Sequence, residues 1–204
     1  MKALFYDCET TGLPLFDQPS EDPRQPHIVQ LAAMLVDLAN DGEIVSSFDV
    51  ICRPTDWEIP DDVAAIHGIT TTRALDVGIS ESLAVEMLID LWGKASVRIG
   101  HNETFDARMV RIALMRHSAS IGFNPDEWKG GRAECTQRLS TPILRLPPTD
   151  KMRAAGRFHH KSANLKEAYQ HFVGAELVNA HSAMADCRAC LAVYQAIKGA
   201  KVAA

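Results

Sequence analysis

The sequence predicts an α/β domain in which helices flank a mixed sheet. Three apolar segments near the N-terminus are rich in Val, Ile, Leu and Phe, and the hairpin signal Asn40-Asp41-Gly42 separates the second from the third. We therefore expect the first three strands to form an antiparallel meander. Helical and strand-like segments alternate after it, which is typical of a layered α/β architecture with a mixed sheet. The three apolar segments span residues 2–7, 27–38 and 43–52.

The remaining elements follow from apolar spacing, capping residues and breakers. The stretch 13–26 holds four prolines and is predicted to be a loop. A short helix should begin at Asp61 or Asp62, either of which can cap it, and end near His67. Asn164-Leu165-Lys166-Glu167 resembles a capping box that starts a helix ending near Gly174. Apolar periodicity predicts further helices at 80–93, 104–117, 136–144 and 182–198, and a short buried strand at 97–100.

Length and composition indicate one folded domain covering residues 1–204. Apolar residues make up 47% of the chain, enough for a packed core. No apolar run approaches the roughly 20 residues that span a membrane, and no signal peptide is evident, so we expect a cytoplasmic protein without a membrane partner. The five scattered cysteines indicate reduced thiols. Cys187 and Cys190 are expected to pack as small apolar residues on one helix face rather than to bind zinc.

The charge distribution leaves room for a nucleic-acid substrate. A net charge of −5 is not typical of a protein that coats nucleic acid, but acids can cluster at a metal site while cations line the approach. Segment 151–161 carries four cations, two histidines and no acid. It is either a phosphate-binding surface or a solvated loop, and the sequence does not decide between them.

The first strand ends in two carboxylates. Because side chains alternate along a strand, Asp7 and Glu9 point to one face and Cys8 to the other. Like charges at this spacing repel each other, and a cation between them would relieve the repulsion. Carboxylate oxygens of this kind suit Mg²⁺ or Mn²⁺. The alternative is a solvated strand end that happens to carry two acids.

Two later segments extend this pattern. Asp106 follows an apolar strand, and His181 precedes Asp186 at the start of the last helix, giving Asp-x-Glu, then Asp, then His-x-x-x-x-Asp. In this order the chain resembles the DEDD family of 3′-to-5′ exonucleases, in its histidine-containing DEDDh subclass, the DnaQ-like proofreading exonucleases. Thr10-Thr11-Gly12 and His67-Gly68-Ile69-Thr70 match the same family, and the resemblance runs from about Leu4 to Tyr194.

The resemblance implies a ribonuclease-H-like fold with about five strands and two-metal hydrolysis of phosphodiester bonds. By analogy, Asp7 would bridge two Mg²⁺ or Mn²⁺ ions, Glu9 and Asp186 would hold one ion, and Asp106 the other. His181 would be the general base, since a histidine is neutral at physiological pH and can take a proton from water. His181 and Asp186 lie about 140° apart on one helix, so they converge only if His181 lies on the loop before it. We expect that loop to be mobile and His181 to be exposed without substrate.

The same resemblance suggests contacts for a free 3′ end. Thr10, Thr11 and Gly12 would grip the terminal nucleotide, and Leu13 would wedge between the last bases. His67 would close the other side of the pocket, although it can equally be a helix-terminal histidine beside Gly68. Two further candidates are Asn102, which shares a helical face with Asp106 if the helix already covers both residues, and Phe105, which either stacks on a nucleotide or fills the core.

Several functions stay open at this point. The first is a 3′-to-5′ exonuclease that releases nucleoside 5′-monophosphates from DNA, with single-stranded DNA as the expected partner and RNA not excluded. The others are a nucleic-acid-binding module without catalysis, a proofreading subunit that docks on a DNA polymerase, and an RNA-trimming exoribonuclease. A homodimer is also compatible with the family.

Overall fold

The computed structural model describes residues 1–178 and 180–202 and contains a five-stranded mixed sheet in the order β3-β2-β1-β4-β5. The first three strands pair antiparallel, as the predicted meander requires, while β4 and β5 run parallel to β1. The expected α/β class and mixed sheet are thus confirmed. The strands are β1 (Lys2–Thr10), β2 (Ile28–Asp37), β3 (Glu43–Ile51), β4 (Val97–Gly100) and β5 (Ala133–Cys135).

Helices cover both faces of the sheet. One face packs against α3, α4 and α6, and the other against α10, which is backed by α7 and α9. The helices are α1 (Asp61–His67), α2 (Thr71–Val77), α3 (Glu81–Trp92), α4 (Glu103–Arg116), α5 (Ser118–Ile121), α6 (Pro125–Gly130), α7 (Thr136–Leu144), α8 (Asp150–Ala154), α9 (Leu165–Val173) and α10 (Ala183–Val202).

The alternation of β1 decides which side chains meet which layer. Tyr6 and Cys8 pack with the α3 and α4 side chains, whereas Ala3 and Phe5 pack with those of α10. Because successive side chains point to opposite faces, Asp7 and Glu9 lie on the α10 side, and Cys8 lies opposite them as predicted. Cys187 and Cys190 are buried in the α10 layer, and all five cysteines are free and buried, so the expected apolar packing is confirmed.

Most predicted helices are present, but some details differ. The capping box at Asn164 and the C-terminal Gly174 of α9 are confirmed. Helix α1 has its predicted bounds, yet its N-cap is Pro60 and no side chain caps it, so the capping role given to Asp61 or Asp62 is wrong. A proline ring already fixes the extended backbone that an N-cap needs. The sequence analysis missed the short elements α2, α5, α6, α8 and β5, which carry too few residues for a periodic signal.

A buried ion pair fixes the start of α4. Arg98 donates through Nε to Oε1 of Glu103 at 2.6 Å, and both side chains are 5% exposed. The Tyr6 hydroxyl donates to the same oxygen at 2.8 Å, and the Arg98 guanidinium lies 4.5 Å from the ring centre of Trp128. Strand β4, strand β1, α4 and α6 are therefore joined at one buried charge pair.

Removing one partner of this pair should destabilise the protein strongly. Glu103→Gln leaves the Arg98 charge buried and unpaired, which typically costs about 3–5 kcal/mol. We expect the melting temperature to fall by about 10 °C in a thermal unfolding experiment. The control is Glu176→Gln, which breaks an exposed pair with Lys166 and should change it by at most about 2 °C. Equal shifts in the two variants would contradict the role given to the buried pair.

Candidate active site

The candidate acids converge at one edge of the sheet. Asp7 and Glu9 lie near the carboxyl end of β1, and Asp106 lies in the first turn of α4, which follows β4. Since β1 and β4 are parallel, their carboxyl ends share an edge, and the helix after β4 begins beside the end of β1. Asp186 lies in the first turn of α10, which packs on the same face as Asp7.

Asp106 is hydrogen-bonded directly to β1. The Cys8 backbone N–H and the Cys8 thiol both donate to Oδ1 of Asp106, each at 3.1 Å. The side chain of Asp106 is 3% exposed. Cys8 therefore orients this carboxylate from the face opposite Asp7 and Glu9. Sequence reasoning assigned Cys8 no role, although alternation does point it towards the helix layer that carries Asp106.

Glu9, His181 and Asp186 form the most compact part of the site. One side-chain ligand atom from each lies within 4.8 Å of the other two. His181 is exposed on the turn before α10, as predicted, with a left-handed φ of 69°. Its backbone N–H donates to Oδ2 of Asp186 at 3.3 Å, while Oδ1 of Asp186 is buried without a partner among the described residues. The turn brings the imidazole and the carboxylate together although they are five residues apart.

Burial raises the pKa values of all four carboxylates, and neighbouring carboxylates of the site raise those of Asp7 and Glu9 further. Burial raises the pKa of Asp7, and the charges of Asp106, Asp186 and Glu9 raise it further. Burial together with the Asp186 charge raises the pKa of Glu9 to about 7. Burial also raises the pKa of Asp106 to about 7, against the opposing hydrogen bonds from Cys8, and it raises the pKa of Asp186. The protein thus concentrates negative charge where ionisation is unfavourable.

The donor set fits a divalent cation. The site offers carboxylate oxygens, one of them buried and unpartnered, and their mutual repulsion would be relieved by positive charge. Oxygen donors of this kind are the ligands that Mg²⁺ and Mn²⁺ prefer.

The proposed 3′-end residues border the acids but differ in availability. Thr10 is buried, and its hydroxyl donates to the Gly12 carbonyl at 2.8 Å. Thr11 pairs with His27 through both its backbone and its hydroxyl, at 3.0 and 2.9 Å. Leu13 is 74% exposed. Among these residues, Leu13 therefore has the side chain that is most accessible to a nucleotide base.

His67 faces the same side of the site as His181. It is the last residue of α1, before the left-handed Gly68, and its Nδ1 accepts the Ile69 backbone N–H at 3.1 Å. The Nε2 atom is buried without a partner among the described residues. A cavity of about 440 Å³ is lined by His67, His181 and Arg73, so the two histidines border one space.

Asn102 lies just outside α4, whereas Phe105 packs against the core. The condition for Asn102 to share a helical face with Asp106 is not met, because Asn102 is the left-handed N-cap of α4, with φ 65°, and its side chain is exposed. The chain must reverse sharply between β4 and α4, and Asn tolerates this conformation. Phe105 is partly buried against the α3 and α4 core, as expected if its side chain fills the core. Its contact with substrate stays a prediction.

His101 is a structural residue that sequence reasoning missed. Its two ring nitrogens lie 2.9 Å from Oγ1 of Thr136 and 3.0 Å from the Ala163 carbonyl oxygen. Burial lowers the pKa of His101 to about 4, so the ring is neutral at physiological pH. Through these contacts, His101 connects the end of β4 to the residues that follow segment 151–161. No local pattern signals such a long-range contact.

The two segments without a clear prediction have different characters. Loop 13–26 is ordered around Gln25, which is 2% exposed and bonds to Leu15 and Pro19. Segment 151–161 is largely exposed and includes most of α8. Within it, Arg153 pairs with Asp150 and Lys161 with Glu167, so two of its four cations are already neutralised.

Comparison with known families identifies the family of the chain. The RNase_T family model, described as an exonuclease, matches residues 4–194. The chain belongs to the RNase_T exonuclease family. The matched range spans Asp7, Glu9, Asp106, His181 and Asp186. No curated protein matches the chain. Among the described residues, no helix is both long and apolar enough to cross a membrane.

Solved structures confirm the ribonuclease-H-like fold of this family. E. coli Exonuclease I in complex with a dT13 oligonucleotide matches with a TM-score of 0.73 at 22% identity, over 97% of this chain and 41% of that one. A zinc-bound form of its complex with single-stranded DNA gives 0.71 at 21% identity, over 97% and 40%. A moderately thermophilic Exonuclease I from Methylocaldum szegediense gives 0.69 at 23%, over 97% and 40%. The chain thus spans about two fifths of these proteins.

The raised pKa values predict how pH and metal affect stability. A carboxylate whose pKa is raised in the folded state contributes stability that is complete below about pH 4 and is lost as the pH rises to about 7. Without divalent ions, the melting temperature should therefore fall across this range relative to that of Asp7→Asn, which keeps the opposite trend from acids with lowered pKa values such as Glu81. Mg²⁺ should restore it at pH 8 and have little effect at pH 4. A Mg²⁺ effect of equal size at both pH values would contradict this coupling.

Proposed function

We propose that the protein is a metal-dependent 3′-to-5′ exonuclease of the DEDDh subclass, formed by a single domain over residues 1–204. Its substrate would be single-stranded DNA with a free 3′ end, and its products nucleoside 5′-monophosphates. The observation that carries the proposal is the convergence of Asp7, Glu9, Asp106 and Asp186 beside His181 at one sheet edge. The Exonuclease I neighbours bound to oligonucleotides favour DNA as the substrate class.

Four carboxylates are about the number needed to hold two Mg²⁺ or Mn²⁺ ions. When bound, such ions supply charge neutralisation at the phosphate and stabilise the attacking and leaving oxygens. Asp7 would be shared between them, Glu9 and Asp186 would hold one, and Asp106 the other. Cys8 supports this arrangement by fixing Oδ1 of Asp106.

His181 would act as the general base. In support, His181 lies on an exposed turn within 4.8 Å of ligand atoms of Glu9 and Asp186, a position from which its imidazole would take a proton from the attacking water. Asp186 orients the turn by accepting the His181 backbone N–H. Movement of the turn when substrate arrives would bring the ring into its working position.

The loop after β1 would recognise the 3′ end of the substrate strand. Thr10, Thr11 and Gly12 would hold the terminal sugar through backbone groups, and exposed Leu13 would separate the last bases. His67 would close the opposite wall through its unpartnered Nε2–H. Asn102, exposed at the start of α4, and Phe105 would border the same space.

The proposal is tested by degrading 5′-labelled single-stranded DNA, duplex DNA and RNA with Mg²⁺, Mn²⁺ or a chelator. We expect a ladder that shortens from the 3′ end of single-stranded DNA and is absent with chelator. Preferential shortening of RNA would instead make the protein an exoribonuclease. Internal cleavage, or no cleavage with either ion, would contradict the proposal. Docking on a polymerase, a homodimer and a cytoplasmic location remain predictions from the sequence.

A further inference from the structure

A buried glutamine of β2 connects the sheet to the turn that carries His181. Gln30 lies opposite Glu9 in the antiparallel β1–β2 register, so both side chains point to the α10 side of the sheet. Gln30 is 8% exposed, and its Oε1 accepts the backbone N–H of Ala183, the first residue of α10, at 3.2 Å. Gln30 and His181 also line the same cavity of about 440 Å³. The glutamine therefore bonds to the chain two residues after the proposed base.

Asp49 on β3 fixes the orientation of this amide. Nε2 of Gln30 donates to Oδ1 of Asp49 at 2.7 Å. An ionised carboxylate only accepts hydrogen bonds and a backbone N–H only donates them, so the amide NH₂ group faces Asp49 and the amide oxygen faces Ala183. The first N–H groups of a helix have no partner within the helix. Gln30 therefore supplies from the sheet an acceptor that α10 itself does not offer to Ala183.

We propose that Gln30 is a positioning residue for His181, with its amide oriented by Asp49. The inference rests on the proposed function, because it takes His181 as the general base. The bond from the His181 N–H to Asp186 joins two residues of one segment and does not place that segment against the sheet. Apolar packing of α10 is not directional, whereas the bond from Gln30 is. Gln30 thus holds the first residue of α10 in a fixed position relative to Glu9, and the turn before it moves about this point.

A double-mutant cycle with His181 tests this role. Gln30→Met keeps the approximate size of the side chain and removes both hydrogen bonds. At saturating Mg²⁺, turnover of a 5′-labelled single-stranded oligonucleotide should fall by about 10- to 100-fold, because a small misplacement of a catalytic group causes a loss of this size. In the His181→Ala background, Gln30→Met should lower turnover by less than about twofold, since the base that it positions is already absent. An equal factor in both backgrounds would overturn the inference, because Gln30 would then act through another group such as Glu9.

Two further variants separate positioning from folding. Val193→Ala opens a space in the buried contact between α9 and α10, so it should lower the melting temperature but leave turnover unchanged while the protein is folded. Asp49→Asn should lower turnover less than Gln30→Met, because an asparagine can face the Gln30 amide with either its oxygen or its NH₂ group. The inference is wrong if Val193→Ala reduces turnover as much as Gln30→Met, or if Asp49→Asn reduces it more.

Hydrogen exchange of the Ala183 amide, followed by NMR, gives a readout that does not depend on activity. Exchange should be faster by about tenfold or more in Gln30→Met than in the wild type, because the amide loses its acceptor. The matched control is Gln170→Met, which alters an exposed glutamine on α9 and should leave this rate unchanged. Equal exchange in the wild type and Gln30→Met would overturn the inference and leave the nuclease proposal intact. A wild type that does not cleave the oligonucleotide with Mg²⁺ or Mn²⁺, or a fully active His181→Ala, would overturn the proposed function and the inference with it.

Discussion

Asp7→Asn is expected to abolish nuclease activity and to raise the stability of the metal-free protein. Activity should fall by a factor on the order of 1,000 or more, because the carboxylate proposed to be shared between two cations would be lost. In the metal-free protein, however, the Asp7 charge is buried beside three other acids, and burial and their charges raise its pKa. Removing that charge relieves the repulsion, so the melting temperature in chelator at pH 8 should rise by several degrees.

The two effects are measured in the same samples by an oligonucleotide degradation assay and by thermal unfolding with and without Mg²⁺. The variant should also lose most of the Mg²⁺-dependent stabilisation of the wild type. Asp76→Asn is the control, since Asp76 is an exposed acid on α2 and its replacement should change neither quantity. Loss of activity together with a lower melting temperature in chelator would show that Asp7 is needed for folding rather than for cation binding.

His181→Ala is expected to lower turnover by about 10²- to 10⁴-fold, the usual contribution of a positioned general base. The half-saturating Mg²⁺ concentration, read from the metal-dependent rise in melting temperature, should change little. At saturating Mg²⁺ the wild-type rate should increase with pH, because only a neutral imidazole accepts a proton from water. The variant should lack this increase.

The control for this experiment is His171→Ala, which alters an exposed histidine on α9 and should leave both the rate and its pH dependence unchanged. An equal loss of turnover and of Mg²⁺ affinity in His181→Ala would make His181 a metal ligand. Because Glu9, His181 and Asp186 lie so close together, the experiment has to distinguish metal binding by His181 from base catalysis.

The acidic residues of the site could be predicted from the sequence because each part of the site has a local signature. Asp7 and Glu9 end an apolar strand, and the five-residue spacing of His181 and Asp186 required a turn before the last helix, which the structure contains. The antiparallel meander was predictable for the same reason, since its hairpin signal lies within three residues. Patterns of this length are visible without knowledge of the rest of the chain.

What the sequence did not reveal depends on contacts between distant segments. The hydrogen bonds from Cys8 to Asp106 join residues 98 apart, and the bond from His101 to Ala163 spans 62. The left-handed backbone of Asn102 follows from the tight connection between β4 and α4, which periodicity does not report. Strand β5 has three residues and is defined by its pairing with β4 rather than by its own pattern.

The central claim is that acids from the beginning, middle and end of the chain hold divalent cations in one site. Anomalous diffraction from crystals soaked with Mn²⁺ and thymidine 5′-monophosphate tests it most directly. We predict two Mn²⁺ peaks about 3.5–4 Å apart, in contact with carboxylate oxygens of Asp7, Glu9, Asp106 and Asp186. Saturating Mn²⁺ that produces no peak at these four carboxylates, in crystals of protein that degrades DNA in solution, would contradict the account.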